Sequence, residues 1–227
     1  MPQYTTEQIR NVVLLSHSGA GKTVLSEAML YSTGAITRLG KVDQGNTTSD
    51  YDPDEVKRQS SIYLSLVPCE WQGMKVNLID TPGYADFVGE VMAAVRVADG
   101  AVIVVCAASG VEVGTELAWG YAEEQNIPRL IFVNKIDREN ADFFKVLEEL
   151  QAHFGKMCLP IELPIGAQQS FTGVIDLITM KAYSQDQEGE IPDSLRAKAE
   201  EFRDKLVEAV AETDDDLIAK YLEGEAL

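Results

Sequence analysis

The feature that most constrains this chain is residues 11–23, NVVLLSHSGAGKT, where an apolar run breaks into a loop of small residues that ends in Lys-Thr. A short apolar run before such a loop predicts a buried strand, and the residues after the loop predict a helix. Small residues let a polyanion lie against backbone N–H groups and the positive end of that helix. The stretch therefore predicts a strand, a phosphate-binding loop and a helix start.

The side chains of this loop fit a nucleoside triphosphate. Lys22 offers a positive charge to the β- and γ-phosphates, and the Thr23 hydroxyl is a ligand for Mg²⁺. Because Ser16 stands where the pattern G-x-x-x-x-G-K-[ST] has its first Gly, a plain Gly-rich turn before a helix remains an alternative at this point. The residues expected to contact the phosphates are His17, Ser18, Gly19, Ala20, Gly21, Lys22 and Thr23.

Length and charge limit the remaining possibilities. At 227 residues the chain holds one large α/β domain, or one domain and a small appendage. No apolar run approaches the length of a membrane span and the first ten residues lack an apolar signal core, so we expect a cytoplasmic protein with no membrane partner.

The net charge of −18 opposes binding to free DNA. Residues 185–227 contribute much of it, with 14 acidic and 5 basic residues.

The order of elements indicates an α/β fold with a mostly parallel sheet and helices on both faces, because strands that read as continuous apolar runs alternate with helices. Residues 36–59 show no apolar period and are too long for an ordinary connection, which is typical of a functional lid or a disordered segment. After the first motif, strands are predicted at residues 61–71, 75–79, 101–106 and 129–133, and helices at residues 24–31, 87–98, 113–125 and 141–154.

The pattern of apolar residues along the chain changes after residue 158. Short apolar pieces separated by Gly and Pro predict a small β element at residues 160–183, and two amphipathic helices are predicted at residues 194–211 and 214–222. We therefore expect residues 1–158 to form the nucleotide-binding domain and residues 159–227 to form a small α+β inserted subdomain.

Two further motifs directly follow predicted strands, which is where parallel sheets place their ligands. Asp80 opens D-T-P-G, so its carboxylate can reach Mg²⁺, and Gly83 can offer its N–H to a γ-phosphate. In Asn134-Lys135-x-Asp137, the aspartate can accept two N–H bonds that guanine supplies and adenine does not, while the lysine lies over the base. Each motif alone also fits a turn or a polar loop before a helix, but their common order and spacing favour a GTP site.

The chain resembles the translational GTPases, and among them elongation factor G and its paralogues. The resemblance rests on HSGAGKT, DTPGYADFVGEV, DGAVIVVCAASGVEVGTE, VNKID and PIGAQQSFTGVIDLI. It implies a P-loop GTPase fold, GTP or GDP with Mg²⁺ as ligands, and a cytoplasmic protein that acts on the ribosome. It also implies that the inserted subdomain meets the ribosomal stalk protein. An acidic face suits such an encounter, although solubility alone explains the acidity equally well.

Departures from the family pattern bear on catalysis. Tyr84 replaces the His that positions the attacking water, and a phenol is a poor base. Ser61 replaces a Thr of the first switch but still offers a hydroxyl to the metal, and Gly19 replaces an Asp that can hold a second cation. The resemblance then assigns Mg²⁺ to Thr23, Ser61 and Asp80, and catalysis to Tyr84, Gly83 and Lys22.

Three functions stay open on this basis. The leading one is a GTP hydrolase module of a factor for translocation, ribosome recycling or antibiotic protection, and the second is a guanine-nucleotide-dependent binding switch with little hydrolysis, which Tyr84 motivates. The third is an inert fragment. Nothing after Leu222 matches the family's last G-domain strand with its Ser-Ala motif or its four further domains, so we expect a truncated chain whose GTP-binding domain lacks its last strand and helix.

Overall fold

The structure, a computed structural model, describes residues 4–184 and 187–224. Residues 1–3, 185–186 and 225–227 of the two predicted domains lie outside the described residues. The chain divides into two compact units, one that ends at Asn134 and one that begins at Lys135.

A five-stranded sheet forms the centre of the first unit, with strand order β2-β3-β1-β4-β5. Strand β2 is antiparallel to β3, and all other neighbours are parallel, so the mostly parallel sheet predicted from the sequence is confirmed. The strands are β1 (Ile9–Ser16), β2 (Ser65–Trp71), β3 (Met74–Asp80), β4 (Gly100–Cys106) and β5 (Arg129–Asn134).

Helices cover both faces of this sheet. Helix α1 packs on β1, β2 and β3, where Leu30 lies in a buried cluster with Val67 and Leu78, while α3 and α4 pack on β1 and α4 also on β4. The helices of this unit are α1 (Lys22–Ser32), α2 (Pro53–Arg58), α3 (Val88–Val95) and α4 (Val113–Glu124). Short 3-10 turns lie at Thr6–Gln8, Val42–Gln44 and Ala85–Phe87.

The parallel strands bring the predicted motifs to one edge. Leu14 pairs with Asp80, Ser16 with Val104, and Cys106 with Asn134, so β1, β3, β4 and β5 all end at the same edge of the sheet. Ligands of open parallel sheets bind at this carboxyl edge.

Residues 36–64, here called the connecting segment, join α1 to β2 and are ordered around helix α2. Asp52 caps this helix, since its side chain accepts a hydrogen bond from Asp54 N at 2.8 Å, and Glu55 completes a capping box by accepting from Asp52 N at 3.2 Å. The sequence Asp-Pro-Asp-Glu carries this helix-start signal, although no apolar period accompanies it. The expectation of a disordered segment is therefore wrong, because this segment is folded with its own helix, and a functional lid stays a prediction.

The second unit combines an antiparallel sheet with three helices. Its strands β6 (Glu162–Ile165), β7 (Gly173–Asp176), β8 (Lys181–Ser184) and β9 (Gln187–Gly189) pair in sequence order. Its helices are α5 (Phe143–Phe154), α6 (Asp193–Ala211) and α7 (Asp215–Glu223). The predicted small α+β element is confirmed.

Helix α5 contributes to the core of the second unit. Phe143 and Phe144 pack against a buried cluster that includes Leu163 and Ile175, so the structural division falls after Asn134. The boundary of the GTP-binding domain at residue 158 stays a prediction. Among the described residues, no helix combines the length and the apolar character that crossing a membrane requires.

Candidate nucleotide-binding site

The phosphate loop, residues 17–21, joins the central strand β1 to α1 in a conformation that needs glycine. Gly19 and Gly21 have φ angles of 79° and 107°, in the region that residues with a Cβ rarely occupy. Gly21 is the N-cap of α1 and no side chain caps that helix. The first N–H groups of α1 are therefore open to an anion, as the sequence predicts.

Lys22 is buried at the start of α1 and held by Ser16. Its Nζ donates to Ser16 Oγ at 2.7 Å, and that hydroxyl donates in turn to the carbonyl of His17 at 2.6 Å. Burial lowers the pKa of Lys22 to about 8, while the charges of Asp80 and Asp50 act in the opposite direction. The serine that departs from the motif therefore fixes the direction of the lysine side chain.

Gly83 lies directly against the phosphate loop. A Cβ added to Gly83 would stand 2.7 Å from Ser18 Cα and 2.9 Å from Lys22 Nζ, distances that leave no room for a side chain. The preceding Thr81 is buried and its hydroxyl donates to the carbonyl of Leu14 at 2.6 Å, which anchors the D-T-P-G turn to β1. Two motifs that are far apart in sequence thus meet at one place.

Asp80 is the centre of a buried cluster of oxygen atoms. Its Oδ2 accepts hydrogen bonds from Thr23 Oγ1 at 2.8 Å and from Ser49 Oγ at 2.9 Å. Among the described residues, no hydrogen-bond partner faces its other oxygen, Oδ1, which is also buried. Burial raises the pKa of Asp80 to about 6, although the nearby charge of Lys22 lowers it. A buried carboxylate oxygen without a partner is the kind of atom that a cation or a cation-bound water satisfies.

Asp50 adds a second carboxylate to this cluster. It is 5% exposed, and its Oδ1 accepts a hydrogen bond from Ser61 Oγ at 2.7 Å, while Ser61 Oγ lies 3.3 Å from Thr23 Oγ1. Burial raises the pKa of Asp50 and the Ser61 hydroxyl opposes that change. Hydroxyls and carboxylates are the hard oxygen ligands that Mg²⁺ prefers, so the residues present fit this metal.

The structure brings together the three predicted metal ligands, Thr23, Ser61 and Asp80. Sequence reasoning missed Ser49 and Asp50, because they lie in the connecting segment, where no motif marked them. Within the described part of the chain, no group of three or more His, Cys, Asp or Glu side chains could hold a metal ion. The candidate Mg²⁺ position therefore depends on hydroxyl groups as well as on carboxylates.

Tyr84 and His17 line a common cavity of about 290 Å³ between the phosphate loop, α3 and α4. The side chain of Tyr84 is half exposed. His17 Nε2 lies 3.6 Å from Glu112 Oε1, at the N-cap of α4. A Cβ on Gly114 would stand only 2.7 Å from His17 Nδ1, so α4 approaches the ring closely. His17 therefore belongs to the phosphate loop but has its imidazole directed toward α4.

The predicted base motif begins at the end of β5. Asn134 Nδ2 donates to the carbonyl of Ala20 at 2.9 Å and so ties the end of this strand to the phosphate loop. Lys135 and Asp137 are the first residues of the second unit; Lys135 adopts a positive φ of 62°, and Asp137 is exposed in the following turn. Their contact with guanine stays a prediction.

A mostly parallel sheet with a glycine-dependent phosphate loop after its central strand, a buried lysine and a cluster of hard oxygen ligands defines a P-loop nucleotide-binding domain. The family model of the elongation factor Tu GTP binding domain matches residues 7–221 of this chain. The chain therefore belongs to the elongation factor Tu GTP binding domain family. The resemblance to translational GTPases is confirmed, and with it the P-loop GTPase fold.

Similar proteins agree with this assignment. The chain is 44% identical over 228 residues to elongation factor G of Thermotoga petrophila and 42% identical over 228 residues to that of Thermotoga maritima. A solved structure from Thermus thermophilus superposes with a TM-score of 0.90 and 41% identity, over 96% of this chain and 34% of that one. Each Thermotoga alignment covers 97% of this chain and 33% of the relative, so the chain spans about a third of the length of these curated relatives.

Proposed function

We propose that this chain is the GTP-binding and GTP-hydrolysing module of an elongation factor G-like protein that acts on the ribosome in the cytoplasm. The observation that carries the proposal is the buried cluster in which Thr23, Ser49 and Asp80 meet beside Lys22. Relatives named elongation factor G support the ribosomal role. Translocation, ribosome recycling and antibiotic protection all fit this proposal.

The phosphates of GTP or GDP are proposed to lie on the phosphate loop. Lys22 supplies charge to the β- and γ-phosphates, and the N–H of Gly83 donates to the γ-phosphate. Thr23, Ser61 and Asp80 would hold Mg²⁺, with Ser49 and Asp50 binding its waters or the ligating side chains. When bound, the metal neutralises negative charge on the phosphates. The remaining phosphate contacts are assigned to His17, Ser18, Gly19, Ala20 and Gly21.

Guanine selectivity is assigned to the base motif. Asp137 accepts hydrogen bonds from the two N–H groups of guanine, and Lys135 covers the base. Asn134, the first residue of the motif, donates to the phosphate loop at the carbonyl of Ala20. Adenine would leave the Asp137 carboxylate without hydrogen-bond donors. The free-energy cost of an unsatisfied carboxylate exceeds the net contribution of one hydrogen bond.

Hydrolysis is proposed to be slow in the isolated chain and faster on the ribosome. Phosphoryl transfer needs mainly positioning and charge neutralisation, which Lys22 and Gly83 supply. The hydroxyl of Tyr84 can form one hydrogen bond to the attacking water, but it cannot carry positive charge as an imidazolium does. The second candidate function, a nucleotide-dependent switch with little hydrolysis, is favoured by the identity of Tyr84, which stands where the resembled family has His.

Phosphate release with and without ribosomes separates these two functions. We expect ribosomes to accelerate release by the unsubstituted protein, Tyr84→His to raise the stimulated rate by about ten-fold or more, and Tyr84→Phe to lower it. Gel filtration and nucleotide binding of each variant control for folding. If ribosomes leave phosphate release at background for all three proteins while GTP still binds, the chain is a switch and the hydrolase proposal is wrong.

A further inference from the structure

Glu27 is a buried acidic residue that the proposed function does not use. It lies on α1, is 1% exposed, and accepts hydrogen bonds from two backbone N–H groups of the connecting segment. Gly40 N donates to Oε2 at 2.8 Å, and Thr48 N donates to Oε1. Bonds from N–H groups to a carboxylate are stronger than neutral ones, and a buried carboxylate depends on them.

The connecting segment is shaped to receive this carboxylate. A Cβ on Gly40 would stand 2.5 Å from Glu27 Oε2 and 2.6 Å from the carbonyl oxygen of Asn46. A side chain at residue 40 would therefore push the connecting segment away from Glu27. Lys41 N donates to Asn46 Oδ1 at 2.7 Å, which closes the segment into a compact loop between the two contacts. Residues 40–48 therefore form one compact loop that is held on α1 through Glu27.

This loop leads directly into the candidate metal site. Ser49 and Asp50 follow Thr48, and consecutive Cα atoms are only about 3.8 Å apart, so fixing Thr48 restricts where these two side chains can stand. Glu27 lies four residues after Thr23 on the same helix, which places both on one face of α1. One buried face of α1 thus carries Thr23, a predicted metal ligand, and Glu27, which holds the segment that carries Ser49 and Asp50.

We propose that Glu27 is a positioning residue of the nucleotide site: its carboxylate fixes residues 40–48 on α1 and so holds Ser49 and Asp50 beside Asp80. This inference rests on the proposed function, in which the cluster holds Mg²⁺ with GTP. Weakening the contact should release Ser49 and Asp50 and reduce binding of GTP with Mg²⁺. Binding of GDP should change little, because Gly40 and Thr48, whose N–H groups donate to Glu27, are not assigned to the α- or β-phosphate.

The test compares Glu27→Gln and Gly40→Ala with Glu124→Gln, a matched change at an exposed glutamate of α4. Glutamine keeps the shape of the side chain but presents an amide donor to one of the two N–H groups. Alanine at residue 40 disturbs the same contact from the loop and leaves α1 intact, which keeps the test valid if Glu27→Gln does not fold. Hydrogen–deuterium exchange of residues 40–50 is measured with binding of a fluorescent non-hydrolysable GTP analogue and of fluorescent GDP.

We expect both variants to accelerate exchange at residues 40–50 by about ten-fold, and to lower the ratio of GTP-analogue to GDP affinity in Mg²⁺ by about ten-fold. Glu124→Gln should match the unsubstituted protein. Unchanged exchange, or faster exchange with an unchanged affinity ratio, overturns the positioning role while the proposed function stands. Failure of the unsubstituted protein to bind either nucleotide overturns the proposed function itself, and this inference with it.

Discussion

Ser16 illustrates how a single departure from a motif can be compensated locally. Glycine at this position leaves space, whereas Ser16 uses its hydroxyl to accept from Lys22 and to donate to the backbone of the phosphate loop. Burial lowers the pKa of Lys22, and Ser16 Oγ gives the buried ammonium group a hydrogen-bond acceptor in place of water. The departure therefore changes how the lysine is held without removing it from the phosphate site.

Replacing Asp137 by Asn tests the assignment of guanine selectivity. Asparagine presents one acceptor and one donor, which suits the base of xanthosine triphosphate instead of guanine. We expect the affinity for GTP to fall by about ten-fold or more and that for xanthosine triphosphate to rise. Competition of both nucleotides against fluorescent GDP measures the change, with Asp142→Asn in the N-cap of α5 as a control for the loss of one charge. Unchanged GTP affinity in Asp137→Asn would remove Asp137 from the base site.

The metal site shows where prediction from sequence succeeds and where it stops. Thr23 and Asp80 lie in motifs at strand ends, so their meeting follows from a parallel sheet. Ser49 and Asp50 lie in an aperiodic segment, and their hydrogen-bond partners, Asp80 and Ser61, are 31 and 11 residues away along the chain. Their position depends on the buried carboxylate of Glu27, and no local pattern reveals which backbone groups such a carboxylate will bind.

Among the elements, the β2–β3 hairpin follows directly from the sequence, whereas the start of β2 does not. Gln72 and Gly73 take positive φ angles of 48° and 79°, as a two-residue hairpin turn of type I′ requires. Strand β2 begins at Ser65, not at residue 61. The alternation of apolar residues continues before Ser65, but Glu55 binds the N–H groups of residues 62 and 63 and Glu90 binds that of residue 64. Side-chain acceptors thus replace a strand partner there.

Helix α2 offers a test of how the connecting segment is ordered. Loss of an N-cap costs about 1 kcal/mol, so Asp52→Ala should raise local opening of α2 about five-fold. Trypsin cleavage after Lys57 and Arg58 reports this opening, because both residues lie in the last turn of α2. Asp54→Ala, which removes an acidic residue of the first turn without removing the cap, should have a smaller effect. Equal cleavage of the two variants would show that the cap does not order α2.

At the scale of the whole molecule, the surplus of negative charge affects which partners the chain binds more than how it folds. In α6, Glu200, Asp204 and Glu208 are exposed and spaced four residues apart, so they form one acidic stripe along the helix. Such a stripe suits a basic partner, which we propose is the ribosomal stalk protein. The alternative is that the stripe only favours solubility.

Neutralising the stripe distinguishes the two explanations. Changing Glu200, Asp204 and Glu208 together to their amides should weaken binding to the stalk protein and reduce the dependence of binding on salt, because fewer charges attract the partner. Surface plasmon resonance at several salt concentrations measures both. A matched neutralisation of exposed Glu7, Glu70 and Glu124 in the first unit controls for net charge. Equal effects of the two triple variants, or no binding by the unsubstituted chain, would leave solubility as the explanation.

We propose that this chain binds guanine nucleotide through Lys22 and a Mg²⁺ site centred on Thr23 and Asp80. The most direct measurement is equilibrium titration with fluorescent GTP, GDP and ATP, with Mg²⁺ and with EDTA. We predict binding of GTP and GDP, affinity for ATP at least about a hundred-fold lower, and weaker GTP binding after chelation. Lys22→Ala should weaken both guanine nucleotides, and Thr23→Ala should remove most of the Mg²⁺ effect. Equal affinities for GTP and ATP, or a GTP affinity that EDTA leaves unchanged, would contradict the claim.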